Sequence, residues 1–173
     1  MPVSEQFERT VLQIGKEKVE RLLSNRVAVF GIGGVGGHCA EALVRTGIGA
    51  IDVFDAGRVT LSNLNRQIIA TRSTVGQYKA DVMRERLLDI NPDAAVGAYT
   101  MFYGPDNADE VDVSVYHYII DAVDTVTAKL ELVCRAKAAG VPIICSMGAA
   151  TKWTPPLLRW RIFPKRRFAR WRG

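Results

Sequence analysis

The chain has 173 residues, of which 48% are hydrophobic and 24% charged, proportions that favour one globular domain over a disordered or membrane-spanning protein. Three cysteines without a C-x-x-C pair predict neither a disulfide framework nor a zinc site, and we expect Cys39 and Cys134 on buried helix faces. A polar N-terminus and the lack of a long apolar run predict no signal peptide, no membrane span and a cytoplasmic location.

The net charge of +5 is unevenly distributed along the chain. Residues 151–173 hold eight of the 23 Lys and Arg side chains, three tryptophans and none of the 18 acidic side chains. This segment shows no sustained period of 2 or 3.6. It is interpreted either as a disordered basic tail or as a nucleic-acid contact, and residues 1–150 form the predicted domain.

Residues 5–24 have apolar side chains at helical spacing and predict two helical pieces that meet at Gly15. Phe7 and Leu12 belong to the apolar stripe of the first piece. Arg9 lies on the same piece, where the pattern alone predicts a solvated side chain.

A glycine-rich turn follows the predicted strand at residues 27–30 and leads into a helix near Val35. Its glycines are Gly31, Gly33, Gly34 and Gly36. Glycine permits a tight turn and lets a phosphate approach the backbone, while the following helix directs its amide donors at that phosphate. The pattern is shared by dinucleotide-binding and ATP-binding folds, so it predicts a nucleotide without identifying it.

Asp55 directly follows the second predicted strand, residues 50–54, and lies about 20 residues after the glycine turn. A carboxylate at this position can accept hydrogen bonds from ribose hydroxyls. We therefore expect Asp55 to bind the ribose of the nucleotide.

A polar segment, residues 59–67, comes next and contains Asn63 and Arg66. An amide and a forked guanidinium suit phosphoryl oxygens, although a solvated loop would have the same composition. Lys79 lies in the first turn of a helix predicted over residues 76–91, where a cation opposes the helix dipole and favours an anionic partner. A surface lysine without a ligand is the alternative.

Asp124 follows the fourth predicted strand and precedes a helix predicted over residues 126–139. The pattern leaves two interpretations open, a Mg²⁺ ligand or the N-cap of that helix. The third to fifth strands are predicted over residues 94–102, 116–120 and 141–145. Cys145 ends the last strand, and without a histidine partner it is predicted to pack in the core.

Taken in order, these motifs resemble the HesA, MoeB and ThiF superfamily of ubiquitin-activating type. The shared features are the glycine turn, Asp55, Ser62-Asn63-Leu64-Asn65-Arg66-Gln67, Lys79 and Asp124. Further segments are most similar to the tRNA threonylcarbamoyladenosine dehydratases; they are Arg45-Thr46-Gly47-Ile48-Gly49, residues 75–79, 119–124 and 146–150. The absence of C-x-x-C pairs, which MoeB and ThiF relatives usually carry, favours the dehydratases. After Ala150 the sequence departs from the family pattern.

The resemblance implies an α/β, Rossmann-like fold with a mainly parallel sheet. It also implies that the protein adenylates a carboxylate with ATP. Asp55 would bind ribose, Asn63, Arg66 and Lys79 would hold the phosphates, and Asp124 would bind Mg²⁺. Arg9 would act in trans across a homodimer.

The implied substrate is threonylcarbamoyladenosine beside a tRNA anticodon, which would cyclise with release of AMP. The implied partners are tRNA, a second copy of the chain and a sulfur-carrier or cysteine desulfurase-type protein. Three other functions stay open: a non-catalytic nucleotide-binding fragment, activation of a ubiquitin-like sulfur carrier, and an NAD-dependent oxidoreductase.

Overall fold

A computed structural model describes residues 4–146 as an α/β fold built on one five-stranded sheet. All strands pair in parallel, in the order β3-β2-β1-β4-β5. The strands are β1 (Arg26–Phe30), β2 (Ala50–Phe54), β3 (Ala95–Tyr99), β4 (Tyr118–Asp121) and β5 (Ile143–Cys145). The helices are α1 (Glu8–Ile14), α2 (Lys16–Leu23), α3 (Gly36–Thr46), α4 (Lys79–Ile90) and α5 (Val126–Ala138). The predicted fold class is confirmed, whereas the predicted tail at 151–173 lies outside the described residues.

The sheet is covered on both faces because its strands carry apolar side chains on both sides. Along β1, Val27 and Val29 pack in the core on the face covered by α3 and α4. Ala28 and Phe30 pack on the opposite face, with Leu132 of α5. This two-residue alternation explains why the strand is a continuous hydrophobic run, as expected for a parallel sheet buried on both faces.

The strand order places a topological switch point between β1 and β4. The chain passes from β1 through α3, β2 and α4 to β3 at one edge, and β4 then pairs with the other side of β1. In register, Phe30 lies beside Asp121 of β4 and Phe54 of β2. Ligands of open α/β sheets bind in the crevice at such a point, beyond the carboxyl ends of the strands.

The N-terminal arm packs at the other end of the sheet, where the strands begin. Gly15, at a φ of 88°, separates α1 from α2 at the predicted break. Phe7 is 3% exposed and packs on Gly47, just before β2. The predicted apolar stripe of the first helix is wrong for Leu12, which is 86% exposed. Within residues 4–146, no helix combines the length and the apolar character needed to cross a bilayer.

A buried carboxylate in the middle of β2 joins this strand to β1 and to the segment that precedes β4. Asp52 Oδ2 accepts hydrogen bonds from Arg26 Nε at 2.9 Å and from the Tyr116 hydroxyl at 2.8 Å. Burial raises the pKa of Tyr116 above its usual value, and the hydrogen bond to Asp52 raises it further. Tyr116 therefore stays neutral and donates its proton to the carboxylate. Because Tyr116 follows a 3₁₀ turn, β4 begins at Tyr118 rather than at the predicted residue 116.

A second carboxylate links α3 to α4. Glu41 is 8% exposed and accepts hydrogen bonds from Arg86 Nε at 2.5 Å and from Arg45 Nε at 2.8 Å. Burial pushes the pKa of Glu41 upward, but the hydrogen bonds from Arg86 and Arg45 outweigh it and leave that pKa below the ordinary value of 4.5. The ionised carboxylate therefore holds the two helices together at neutral pH.

Candidate nucleotide-binding site

A cavity of about 700 Å³ opens at the switch point, beyond the carboxyl ends of β1, β2 and β4. Its walls include most of the site residues that the sequence predicts. Those residues are Gly31, Gly33, Gly34, Asp55, Asn63, Arg66, Lys79 and Asp124. The local motifs, which are dispersed over more than 90 positions, are therefore brought together by the sheet.

The glycine turn admits no side chain at two of its positions. Gly31 has a φ of 88°, and a Cβ there would lie 2.7 Å from the Ala122 carbonyl oxygen at the end of β4. A Cβ on Gly36 would lie 1.8 Å from the Gly31 carbonyl oxygen, so Gly36 sits behind the turn and does not line the cavity. At Gly33, by contrast, nothing lies within 4 Å of a Cβ position. The turn thus presents open backbone to the cavity at the start of α3, the arrangement that suits a phosphate.

The Asp55 carboxylate links the glycine turn after β1 to the segment after β2. Its Oδ2 accepts a hydrogen bond from the Ile32 amide at 2.7 Å, and its Oδ1 accepts one from the Gly57 amide at 2.7 Å. A carboxylate has about four acceptor positions, so two hydrogen bonds leave capacity for further donors. Asp55 can therefore hold the glycine turn and accept hydrogen bonds from ribose hydroxyls together.

The polar segment reaches the cavity through a short 3₁₀ turn, Leu61–Asn63. Asn63 is 7% exposed, and its Oδ1 accepts a hydrogen bond from the Thr60 amide at 3.1 Å, which caps that turn. The aliphatic stem of Arg66 packs beside Gly34, with Arg66 Cγ 3.5 Å from a Cβ position there. Arg66 Nη1 donates to the Ser62 carbonyl at 2.9 Å. The exposed guanidinium therefore lies next to the glycine turn with most of its five donors available.

Lys79 is the first residue of α4 and is anchored through its backbone. Its amide donates to the Gly57 carbonyl at 3.0 Å, and its ammonium lies next to Gly57, with Nζ 3.3 Å from a Cβ position there. That same position is 3.0 Å from Asp55 Oδ1. In the described part of the chain, Lys79 has no carboxylate within ion-pair distance. The cation at this helix start is thus available to an anionic ligand.

Sequence reasoning missed a buried ion pair directly beneath the cavity. Lys129 Nζ donates to Asp121 Oδ2 at 2.6 Å and to the Ser146 carbonyl at 3.1 Å. Asp121 is fully buried, and its Oδ1 accepts a hydrogen bond from the Val123 amide at 3.1 Å. The pair therefore holds the segment after β4 in place. A signal was present, because Lys129 lies beside Ala128 on the apolar face of α5.

Asp124 is exposed at the mouth of the cavity and makes no hydrogen bond within residues 4–146. The N-cap of α5 is Thr125, so the N-cap interpretation of Asp124 does not hold. No group of three or more His, Cys, Asp or Glu side chains suited to a metal occurs in the described residues. A single carboxylate suits a Mg²⁺ ion that takes most of its ligand oxygens from phosphates and water.

Two buried polar atoms in the described residues lack a hydrogen-bond partner, Gln67 Oε1 and the Tyr103 hydroxyl. Both residues line the cavity, and neither was predicted from the sequence to have a role there. Burial raises the pKa of Tyr103 to about 12, so its hydroxyl stays protonated. Because unsatisfied buried polar groups cost free energy, a wall that contains them suits a polar ligand better than an apolar one.

The cysteines provide no reactive thiolate at the site. Burial, reinforced by the neighbouring Asp121 carboxylate, raises the pKa of Cys145 to about 12, so its thiol stays protonated at neutral pH. Burial also raises the pKa of the half-buried Cys39 thiol. The predicted burial of Cys134 is wrong, because this residue is exposed on α5.

Arg9, like Gly36, is a predicted site residue that does not line the cavity. It is exposed on α1, in the arm that packs where the strands begin, and it is absent from the cavity walls. The cavity lies at the opposite, carboxyl ends of the strands. Arg9 therefore does not contribute to the site of its own chain.

Comparison with known proteins agrees with this geometry, since residues 7–154 match the ThiF family. The chain belongs to the ThiF family. It is 45% identical over 150 residues to a tRNA threonylcarbamoyladenosine dehydratase of Bacillus subtilis. This match covers 87% of this chain and 59% of that protein.

Solved structures of an E. coli relative have the same fold. The E. coli tRNA N6-threonylcarbamoyladenosine dehydratase, TcdA, in complex with ATP superposes with a TM-score of 0.81 at 37% identity over 90% of this chain and 66% of that one. Its complex with AMP gives a TM-score of 0.83 at 38% identity over 90% of this chain and 65% of that one. This ThiF-family chain thus spans about three fifths of the Bacillus subtilis relative and two thirds of TcdA.

Proposed function

We propose that this ThiF-family chain uses ATP to adenylate a carboxylate. The observation that carries the proposal is the convergence of an open glycine turn, Arg66 and Lys79 on one cavity beside Asp55. A cavity lined by open glycine backbone, by two cations and by a carboxylate suits a nucleoside triphosphate. The ATP and AMP complexes of a 37–38% identical relative support the same ligand class.

The proposed first step is attack by a substrate carboxylate oxygen on the α-phosphorus of ATP. The bond between the α-phosphorus and the bridging oxygen breaks, and pyrophosphate leaves with the electron pair. Arg66 and Lys79 would neutralise the charge that develops on the departing pyrophosphate, which favours the transition state over the ground state. Asn63 would donate a hydrogen bond from its amide nitrogen to a phosphoryl oxygen, since its Oδ1 already caps the 3₁₀ turn.

The remaining site residues position the nucleotide. Asp55 would accept hydrogen bonds from the ribose, and Gly31, Gly33 and Gly34 would allow the phosphates to approach the backbone. Asp124 would hold Mg²⁺ together with phosphate oxygens and water. Bound there, the ion would supply positive charge that screens the phosphates.

The proposed substrate is the threonylcarbamoyl carboxylate of a tRNA adenosine, as the names of the relatives suggest. Intramolecular attack on the acyl-adenylate would close a ring and release AMP, with net loss of water. The reaction requires no covalent enzyme nucleophile, which fits the protonated Cys145 thiol. A cytoplasmic location is part of the same proposal, because it would give access to tRNA.

An exchange assay tests this function. With tRNA carrying threonylcarbamoyladenosine, the chain should catalyse exchange of labelled pyrophosphate into ATP, and Arg66→Ala should abolish that exchange. Arg72→Ala removes an exposed arginine five residues after this polar segment and should leave the rate near wild type. ATP binding without exchange would favour a non-catalytic fragment or a different carboxylate substrate, such as a sulfur-carrier protein, and NADH binding without ATP binding would favour an oxidoreductase.

The proposed homodimer is tested by mixing two inactive variants. If Arg9 acts across the dimer, Arg9→Ala and Lys79→Ala remove groups from opposite chains of one site. Subunit exchange between them should then restore about a quarter of the wild-type rate, because half of the randomly mixed dimers contain one intact site. A mixture that stays inactive while subunits exchange would contradict action in trans.

A further inference from the structure

The polar loop that carries Asn63 and Arg66 is closed by a short paired segment. We define the polar loop as residues 60–75 and its neck as residues 57–59 together with residues 76–79. Across the neck, Arg58 and Tyr78 form an antiparallel bridge. The Val59 amide donates to the Gln77 carbonyl at 2.9 Å, and the Gly76 amide donates to the Val59 carbonyl at 2.9 Å. The neck therefore fixes where the polar loop leaves the sheet and where it returns.

Two surface side chains, those of Arg58 and Tyr78, contact each other across the neck, and we call this contact the lock. The Arg58 guanidinium carbon lies 3.6 Å from the centroid of the Tyr78 ring, within the range of a cation–π contact. Arg58 Nη1 also donates to the Gly76 carbonyl at 2.7 Å. Both side chains are at the surface, with Tyr78 37% exposed, so neither is part of the hydrophobic core.

The lock lies next to the groups that face the nucleotide cavity. Arg58 follows Gly57, whose amide donates to Asp55 Oδ1 at 2.7 Å and whose carbonyl accepts from the Lys79 amide at 3.0 Å. Tyr78 precedes Lys79 and is the N-cap of α4. A shift of the neck would thus move the Lys79 ammonium and both ends of the polar loop.

We propose that the Arg58–Tyr78 contact is a positioning device for the triphosphate end of the nucleotide. It would act by holding Lys79, and the polar loop with Arg66, at a fixed distance from the glycine turn. Arg58 itself is absent from the cavity walls, so it would act through these residues rather than by touching the nucleotide. The inference rests on the proposed function, because it assumes that the site binds ATP.

The first test compares ATP with AMP, using calorimetric titration of the full chain. Arg58→Ala should weaken ATP binding about threefold to tenfold, the range expected from losing a cation–π contact and a hydrogen bond. AMP binding should change less than twofold, because AMP lacks the β- and γ-phosphates. Tyr78→Ala should reproduce this loss, and Tyr78→Phe should restore ATP binding because the ring face is retained. The matched control is Arg72→Ala, which removes an arginine from the polar loop but not from the neck.

The double variant Arg58→Ala/Tyr78→Ala should be no weaker for ATP than the weaker single variant, because both changes break one contact. Equal losses of ATP and AMP affinity would overturn the inference, since they indicate a general structural defect. ATP affinity within twofold of wild type in Arg58→Ala would also overturn it. If tRNA affinity alone falls, Arg58 is an RNA contact and the inference is wrong.

A second test does not depend on nucleotide binding and therefore separates this inference from the proposed function. Hydrogen exchange of the ligand-free chain should accelerate at the Gly76 and Lys79 amides in Arg58→Ala, relative to the amides of β1. Unchanged exchange at these two amides would refute the lock, whatever the chain binds. If the wild-type chain binds no ATP while Arg58→Ala still shows faster exchange at the Gly76 and Lys79 amides, the proposed function is contradicted and the Arg58–Tyr78 lock is confirmed.

Discussion

Lys129→Met removes the cation from the buried pair beneath the cavity and leaves the Asp121 carboxylate without its partner. Asp121 is fully buried and Lys129 is 7% exposed, so water cannot replace the lost ammonium without entering the core. Breaking a buried pair by deleting one partner costs about 3–5 kcal/mol. A chain of this size loses about 2–4 °C of Tm per kcal/mol, so we expect a drop of about 6–20 °C.

The assay is thermal and urea unfolding followed by circular dichroism, with Lys137→Met as the matched control. Lys137 lies two turns later on α5 and is exposed, so its loss should change stability by less than about 0.5 kcal/mol. The double variant Asp121→Asn/Lys129→Met removes both charges and should recover part of the lost stability. A Lys129→Met chain as stable as Lys137→Met would refute the reasoning.

Three further changes test the fold around the site. Glu41→Gln should cost about 1–2 kcal/mol at pH 7 by weakening the hydrogen bond from Arg86. Because the pKa of Glu41 is lowered in the folded chain, the stability advantage of the wild type should persist above pH 4.5 and vanish as the pH falls through that folded pKa. Urea unfolding measured over a range of pH values would test this. Gly36→Ala should cost about 3 kcal/mol and eliminate measurable ATP binding, because the new Cβ would overlap the Gly31 carbonyl; normal ATP titration would contradict this. Tyr116→Phe should lower stability by about 1.5–3 kcal/mol, and an unchanged urea midpoint would show that its hydrogen bond contributes nothing.

Local sequence pattern was sufficient to locate the parts of the site that depend on one element each. The glycine turn follows from a motif between a predicted strand and a predicted helix, Asp55 from the end of the second predicted strand, and Lys79 from the first turn of a predicted helix. All three line the cavity, because the carboxyl ends of parallel strands meet at one edge of the sheet. What they bind in this chain is a separate question that binding and exchange assays address.

Contacts between distant positions could not be read from periodicity. Asp52 and Tyr116 are 64 positions apart, and only the pairing of the central strands brings them together. The start of α4 was misplaced for a related reason. Residues 76–78 fit a helical pattern, but the Gly76 amide and the Gln77 carbonyl pair with Val59 in the neck, so the helix begins at Lys79.

We propose that this cavity binds a triphosphate between the glycine turn and the side chains of Arg66 and Lys79. The most direct measurement is a crystal structure of the chain with a non-hydrolysable ATP analogue. We expect the β- and γ-phosphates within hydrogen-bond distance of Arg66 and Lys79, with the ribose hydroxyls bound to Asp55. An analogue bound elsewhere, or one bound in this cavity with its phosphates turned away from both cations, would contradict it.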